Sequence, residues 1–370
     1  MGDAHTIGYG FHAVGYALDP GIQNPYGEES MIVARSLERE YALEPSVFLS
    51  DNWTVTDKLS VEGGARLSGF YMPASKTFNM GPEFRLSGKY AFADNLSLKG
   101  GFNTMRQNIH LISNTSSISP MDTWKLSDAD IKPTKGWQGA AGLYWTDLSS
   151  GMDLSGEIYY KKTSNHLDYK TGAVLSMNEN LARDLVPVNS RSYGIELMAK
   201  KTTGKLTGWL SYSYSRAMFK EMSDRGAETI AHGGWYNAPY DKPHEIKLVS
   251  NIAITHRYSI SVNMDYSTGR PVTVPVGSYM YKGVWRLAYS ERNSHRIPDY
   301  FRTDVAFNVD PGHYLLANFH GTFTIGVYNV TARKNPYSVF FETTTMGRPL
   351  GRMLSVFAVP IPYVNLNLLF

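Results

Sequence analysis

The chain has 370 residues, enough for one large domain or two to three ordinary ones, and its 36 basic and 33 acidic residues balance too closely for a nucleic-acid binder. It has no cysteine, which excludes structural disulfides and thiolate metal sites. No window of about 20 apolar residues occurs, which excludes a transmembrane helix but not a barrel of half-apolar strands.

The amino terminus, Met1 to Gly10, has neither a positive n-region nor an apolar h-region, so it does not read as a signal peptide. An exported barrel would need one. Either a signal has been removed or the sequence is part of a longer chain.

From there the period is two. Lys58 to Tyr71 sets Leu59, Val61, Ala65, Leu67 and Tyr71 against Lys58, Ser60, Glu62, Arg66 and Ser68. Tyr193 to Lys200 sets Tyr193, Ile195, Leu197 and Ala199 against Gly194, Glu196, Met198 and Lys200. Tyr258 to Ser267 and Phe301 to Asp310 alternate in the same way. A strand puts successive side chains on opposite faces, so each of these has one apolar and one polar face. Helical periodicity is confined to Met177 to Leu185, and it is short there.

This reading gives about fourteen strands, near 5–18, 40–54, 58–71, 80–92, 94–106, 136–147, 151–163, 187–200, 204–217, 242–256, 257–270, 298–310, 316–330 and 353–370. They run about 12–15 residues, against ~5–6 for globular strands. Short connections at 55–57, 93–94, 148–150, 201–204, 256 and 311–315 alternate with longer ones at 19–39, 72–79, 107–135, 164–186, 218–241, 271–297 and 331–352. Loops sorted by length onto two sides are the layout of an antiparallel transmembrane β-barrel. A sandwich has no reason to sort them, and no blade repeat of a propeller is present. A barrel of about fourteen strands is too wide for side chains to fill, so the polar faces line a lumen and the apolar faces meet lipid.

By that alternation Arg66, Arg85, Lys89, Glu157, Glu196, Glu245, Arg302 and Asp304 face the lumen, as a polar path or a solvated wall. His232, Trp235, Tyr236 and Tyr240 fall in one long loop, and Tyr279, Tyr281, Trp285 and Arg292 in another. Aromatic and histidine side chains suit capture of organic or metal-chelate ligands; the plainer reading is loop packing. The same choice applies to His110, Asp122 and Trp124. No G-x-S-x-G and no helical His pair with a Glu occurs, and Gly8 to Gly15 lacks the strand–loop–helix context of a phosphate loop. An enzyme is not expected, and no cofactor or metal is called for. The last stretch, Ile361 to Phe370, alternates apolar Pro362, Val364, Leu366 and Leu368 with Tyr363, Asn365 and Asn367, and stops on an aromatic.

Several segments resemble, in order, the barrel of TonB-dependent outer-membrane receptors, with a flavour of those of the Bacteroidota. They are Gln107 to His110, Ser119 to Trp124, Ile131 to Pro133, Glu157 to Asn165, Arg191 to Glu196, Asn237 to His244, Gly269 to Pro271, Arg296 to Asp304, Tyr328-Asn329, Arg333 to Tyr337 and the terminal Phe370. The resemblance covers most of the chain from about residue 40 onward. It implies a barrel of about 22 strands with a plugged lumen, and this chain, residues 1–370, reads as the carboxy-terminal portion, one barrel domain without plug or TonB box. It further implies a Gram-negative outer-membrane location and energy-coupled uptake of a scarce or bulky nutrient: ferric siderophore, haem, cobalamin, glycan or peptide. The implied partners are membrane lipid and lipopolysaccharide, the TonB complex through a plug outside this chain, and a surface lipoprotein or other outer-membrane subunits. Tyr363 and Phe370 would carry the assembly signal. The alternative is a split or reduced barrel acting as a passive pore or structural subunit.

Overall fold

The computed structural model describes residues 4–27, 29–31, 33–113, 122–173, 177–310, 320–356 and 358–369. Fourteen strands pair in sequence order, each antiparallel to the next. They are β1 (His5–Leu18), β2 (Glu40–Thr56), β3 (Leu59–Met72), β4 (Thr77–Ala93), β5 (Leu96–Gln107), β6 (Thr134–Asp147) and β7 (Met152–Tyr169). Then follow β8 (Leu185–Lys201), β9 (Leu206–Glu221), β10 (His244–Ala253), β11 (Tyr258–Ser267), β12 (Tyr300–Val309), β13 (His320–Tyr328) and β14 (Ile361–Leu369). Among the described residues β1 pairs only with β2 and β14 only with β13.

The register sorts the side chains into two faces. One polar rung runs Lys89, Lys99, Gly142, Glu157, Glu196, Ser213 and Glu245 across β4 to β10. Arg66 stands opposite Glu83, Asp265 opposite Arg302, and Asn263 opposite Asp304 on the same face. The other face carries Tyr9, Phe11, Leu49, Phe84, Leu86, Leu143 and Ile158, all more than half exposed. That much unburied apolar area is far beyond what a water-facing sheet shows. Aromatics bound the band. Phe102, Trp137, Tyr160 and Tyr193 follow one another with ring centroids 6.0, 5.5 and 6.5 Å apart near the long-loop ends. Trp53, Tyr90, Phe92 and Trp145 lie near the short turns. Trp137 and Trp145 share one face of β6, eight residues apart. At ~3.3 Å per residue and a tilt of about 40° this separates the belts by ~20 Å, close to an outer-membrane apolar band.

The short turns close with local side-chain bonds. Thr56 Oγ1 accepts the amides of Lys58 and Leu59 at 3.2 and 3.0 Å, and Asp147 accepts Ser149 N at 3.0 Å ahead of Gly151, whose φ is 63°. The buried hydrophobic clusters all sit at the other end. One joins Val186, Val188, Phe219, Ile230 and Tyr236; a second Ile112, Ile131, Leu167, Leu181 and Leu185; a third Ala42, Phe70, Met72 and Leu126. The loop layer, not the wall, is where this chain packs like a globular protein.

Sequence and structure differ in places. The connection expected to be long at 72–79 is a four-residue turn between Met72 and Thr77, because β3 and β4 pair to their tips. The terminal strand expected from 353 is two pieces, Pro349–Ser355 in an outer hairpin and Ile361–Leu369 in the sheet. The 271–297 loop contains its own hairpin, Pro275–Tyr281 against Val284–Tyr289. The short helical signal is one turn, Leu181–Asp184. The turn expected at 311–315, the segment Ser119 to Met121 and Phe370 lie outside the described residues.

Candidate ligand site at the loop face

A β-bulge between Thr163 and His166 sets the geometry. Before it, Glu157, Tyr159, Lys161 and Thr163 share the polar face. After it, His166 and Asp168 do, opposite Val188 and Val186. Asn165 takes the left-handed conformation, φ 57°, which asparagine tolerates, and donates to Pro133 O at 3.3 Å. The re-phasing turns Asp168 inward under the loops.

There Asp168 accepts Tyr236 Oη at 2.6 Å and Arg292 Nη1 at 3.1 Å. Arg292 also donates to Tyr169 O at 3.0 Å and lies 4.3 Å above the Tyr169 ring. The side chains of Arg292 and Asp168 are only 9% and 5% exposed, so the pair is desolvated. Burial, then the Asp168 charge, pushes the Tyr236 phenol far above its ordinary pKa, so it acts only as a donor. Asn237 and Asn293 exchange amide-to-carbonyl bonds at 3.1 and 2.9 Å. Asp241 accepts Ala217 N at 2.6 Å and pairs with Arg296 and Arg216. The loops at 222–243 and 268–299 are thereby locked to each other and to β7 and β9.

The eight loop candidates divide accordingly. Tyr236 and Arg292 are inside this junction. Trp235 stacks its ring on Arg191, 4.1 Å from the guanidinium carbon. Trp285 packs against Gly347, where a Cβ would stand 2.4 Å from the indole. His232 is exposed, 3.8 Å from Glu291. Tyr240, Tyr279 and Tyr281 are 56%, 52% and 54% exposed. Beside the junction a cleft of about 440 Å³ is lined by Lys170, Arg225, Thr229, Glu291 and Arg292. Sequence reasoning missed Asp168, Asp241 and Asn293. Only the two bracketing segments, Asn237 to His244 and Arg296 to Asp304, pointed at that region.

On the polar face, a groove of about 350 Å³ is lined by Glu62, Lys89, Lys99, Tyr144 and Glu157. Glu157 folds over Gly142, where a Cβ would meet its Cγ at 2.6 Å, and accepts Tyr144 Oη at 2.6 Å. Arg85 reaches Glu62 at 3.9 Å, Glu245 pairs with Lys247 at 2.5 Å, and Arg302 Nε donates to Asp304 at 2.8 Å. Tyr363 stacks on Tyr328 at 4.3 Å.

A family model described as TonB dependent receptor-like, beta-barrel, matches residues 2–330. The chain belongs to this family. It is therefore a β-barrel of the Gram-negative outer membrane, its apolar face toward lipid and its polar face toward the lumen. Solved structures agree in fold. The closed ferric-catecholate import receptor Fiu from E. coli K12 matches with TM-score 0.60 at 13% identity, over 98% of this chain and 52% of that one. The FrpB iron transporter from Neisseria meningitidis gives 0.59 at 13%, over 100% and 52%. The ferripyoverdine receptor of Pseudomonas aeruginosa gives 0.59 at 10%, over 93% and 41%. The chain thus spans about half the length of these receptors. No curated protein matches.

Proposed function

We propose that residues 1–370 act as one unit, the carboxy-terminal part of the barrel of a TonB-dependent receptor that imports a scarce, bulky nutrient. A ferric chelate is the leading substrate class. The observation that carries this is the family match along the sheet. The three neighbours named above support the substrate class, since they are an iron transporter, a ferric-catecholate import receptor and a ferripyoverdine receptor. The exposed Tyr240, Tyr279, Tyr281 and His232 supply flat aromatic and imidazole surfaces to a chelate at the loop face, while Trp235, Tyr236, Trp285 and Arg292 hold those loops in place. Arg66, Arg85, Glu157, Glu196, Glu245, Arg302 and Asp304 make the lumen wall polar enough for whatever fills or crosses it. Energy would enter through a plug and TonB, outside this chain.

The test is uptake of radiolabelled iron as catecholate, citrate and hydroxamate chelates. Deleting the gene should abolish uptake of one of them. Tyr279→Ala/Tyr281→Ala should raise the half-saturating concentration about tenfold at unchanged surface expression. Equal uptake of all three chelates without the gene would sink the iron reading; haem, cobalamin, glycan and peptide would then be tested in turn.

A further inference from the structure

The loops that follow β1, β5 and β7 enclose a second cleft, apart from the junction at Asp168. Its back wall is the short hairpin of Ile109–Ser113 against Asp122–Leu126. In that pairing Ile109 and Leu126 share a face with Leu111 and Trp124. Leu126 is fully buried on Ala42, Phe70 and Met72, with Ile109 beside it. One step further out, Leu111 and Trp124 are 39% and 47% exposed. The apolar face of the hairpin therefore runs on past the cluster that covers its base. Leu18 at the end of β1, Ile22 and Leu37 from loop 19–39, and Met177 from loop 170–184 join Trp124 around a cavity of about 410 Å³.

The carboxylate at the edge of this chamber is neutralised locally: Asp19 accepts Arg39 Nη2 at 2.9 Å and Gly21 N at 3.1 Å. The polar groups lie next door. Met177, held in the left-handed conformation at φ 51°, is shared with an adjoining cleft of about 450 Å³ lined by Arg35, Asn178, Glu179 and Asp184. Arg35 is the cross-strand partner of Gln23, which lines the apolar chamber, so the two spaces meet along one ribbon. Asp184 accepts Asn178 Nδ2 at 2.6 Å. Arg35 and Glu179 are exposed, and neither forms an ion pair among the described residues. The chamber is large enough for one hydrocarbon arm, and the thioether of Met177 adapts to its shape. The annex offers a guanidinium to a carboxylate and a carboxylate to N–H donors. A peptide head presents both groups. A glycan would leave hydroxyls unpaired against Leu18, Ile22 and Leu37.

We propose that this cleft seats an N-acyl peptide, its apolar arm against Trp124 and its carboxylate on Arg35. The inference rests on the transport reading for what such a ligand is: the imported chelate is peptidic and carries an apolar arm. Its seat is separate from the tyrosines of loop 271–297.

The test is photo-crosslinking of N-dodecanoyl-glycylglycine, with a diazirine at the end of its chain, to the protein in lipid nanodiscs, mapped by mass spectrometry. Label should concentrate on Ile22, Leu37, Trp124 and Met177. Trp124→Ala should lower the apparent affinity about tenfold. Ile22→Ser, at an exposed loop position that cannot unfold the wall, should weaken it in the same direction. Arg35→Gln should weaken binding of the carboxylate probe about tenfold and leave that of its carboxamide unchanged. Leu148→Ala, on the short-turn side, should change nothing. The proposal fails if label spreads along the lipid-facing wall without concentrating at the cleft, if Trp124→Ala and Ile22→Ser label like the wild type, or if Arg35→Gln affects both probes equally. Labelling at the cleft by a protein that imports no ferric chelate would keep this site and remove the iron reading. Uptake of a ferric chelate without labelling at the cleft would do the reverse.

Discussion

The wall of this barrel and the layer of loops above it are held by different physics. The wall is a ladder. Its strands gain their stability from backbone pairing and from apolar side chains facing lipid, and they join the three buried hydrophobic clusters only at their loop-side ends. The loop layer is assembled from those clusters and from desolvated ion pairs, Asp168 with Arg292 and Asp241 with Arg296. A ladder tolerates change wherever the face is respected. A buried pair does not, because removing one partner strands the other charge in a dry site.

The largest effect should therefore come from the junction. Asp168→Ala leaves Arg292 unpaired and should cost ~3–5 kcal/mol locally. Hydrogen exchange should quicken in 222–243 and 268–299 while amides of β10 to β12 keep their protection. The double change Asp168→Asn/Arg292→Met should recover much of the loss. Equal loosening of wall and loops would erase the distinction drawn above.

The same contrast explains what could be read in advance. Alternation in β3, β8 and β11 showed both the strands and their faces, because a period of two is a property of the local chain. Loop lengths then gave the up-down order. The junction was hidden because its geometry hangs on one bulge at Asn165. A residue more or less in β7 reverses which way Asp168 points, and nothing local signals it. Likewise Tyr236 and Tyr240 look alike in sequence, yet one is buried on Asp168 and the other is more than half exposed. Loop side chains acquire roles from distant partners: Arg292 is 124 residues from Asp168.

Within the wall the sharpest contrast is between faces. Ile158 stands between Ala141 and Ile195 in the middle of the apolar band. Ile158→Arg should cost ~2–4 kcal/mol, read as a lower unfolding midpoint in urea. Ser213→Arg, on the lumen face between Glu196 and Glu245, should be neutral or mildly stabilising. Equal costs at the two positions would mean that the faces are assigned wrongly.

The smallest effect is also the most selective, because it separates the layers by pH. His110, buried in the loop at 108–133, contacts Ser127 Oγ at 3.0 Å and Thr134 Oγ1 at 3.4 Å. Burial, then the field of His166, against the opposing charge of Asp128, brings its pKa from 6.5 down to about 4. The folded loop therefore holds a neutral imidazole that the unfolded loop would protonate. Its contribution is complete above pH 6.5 and is lost as pH falls toward 4, with a ceiling of ~3 kcal/mol. Protease cleavage within 108–133 should rise between pH 7 and about 5, and His110→Gln should flatten that dependence, while urea midpoints reporting the wall hold steady in both proteins. A pH dependence that survives His110→Gln would assign the sensitivity to another group in the loop layer.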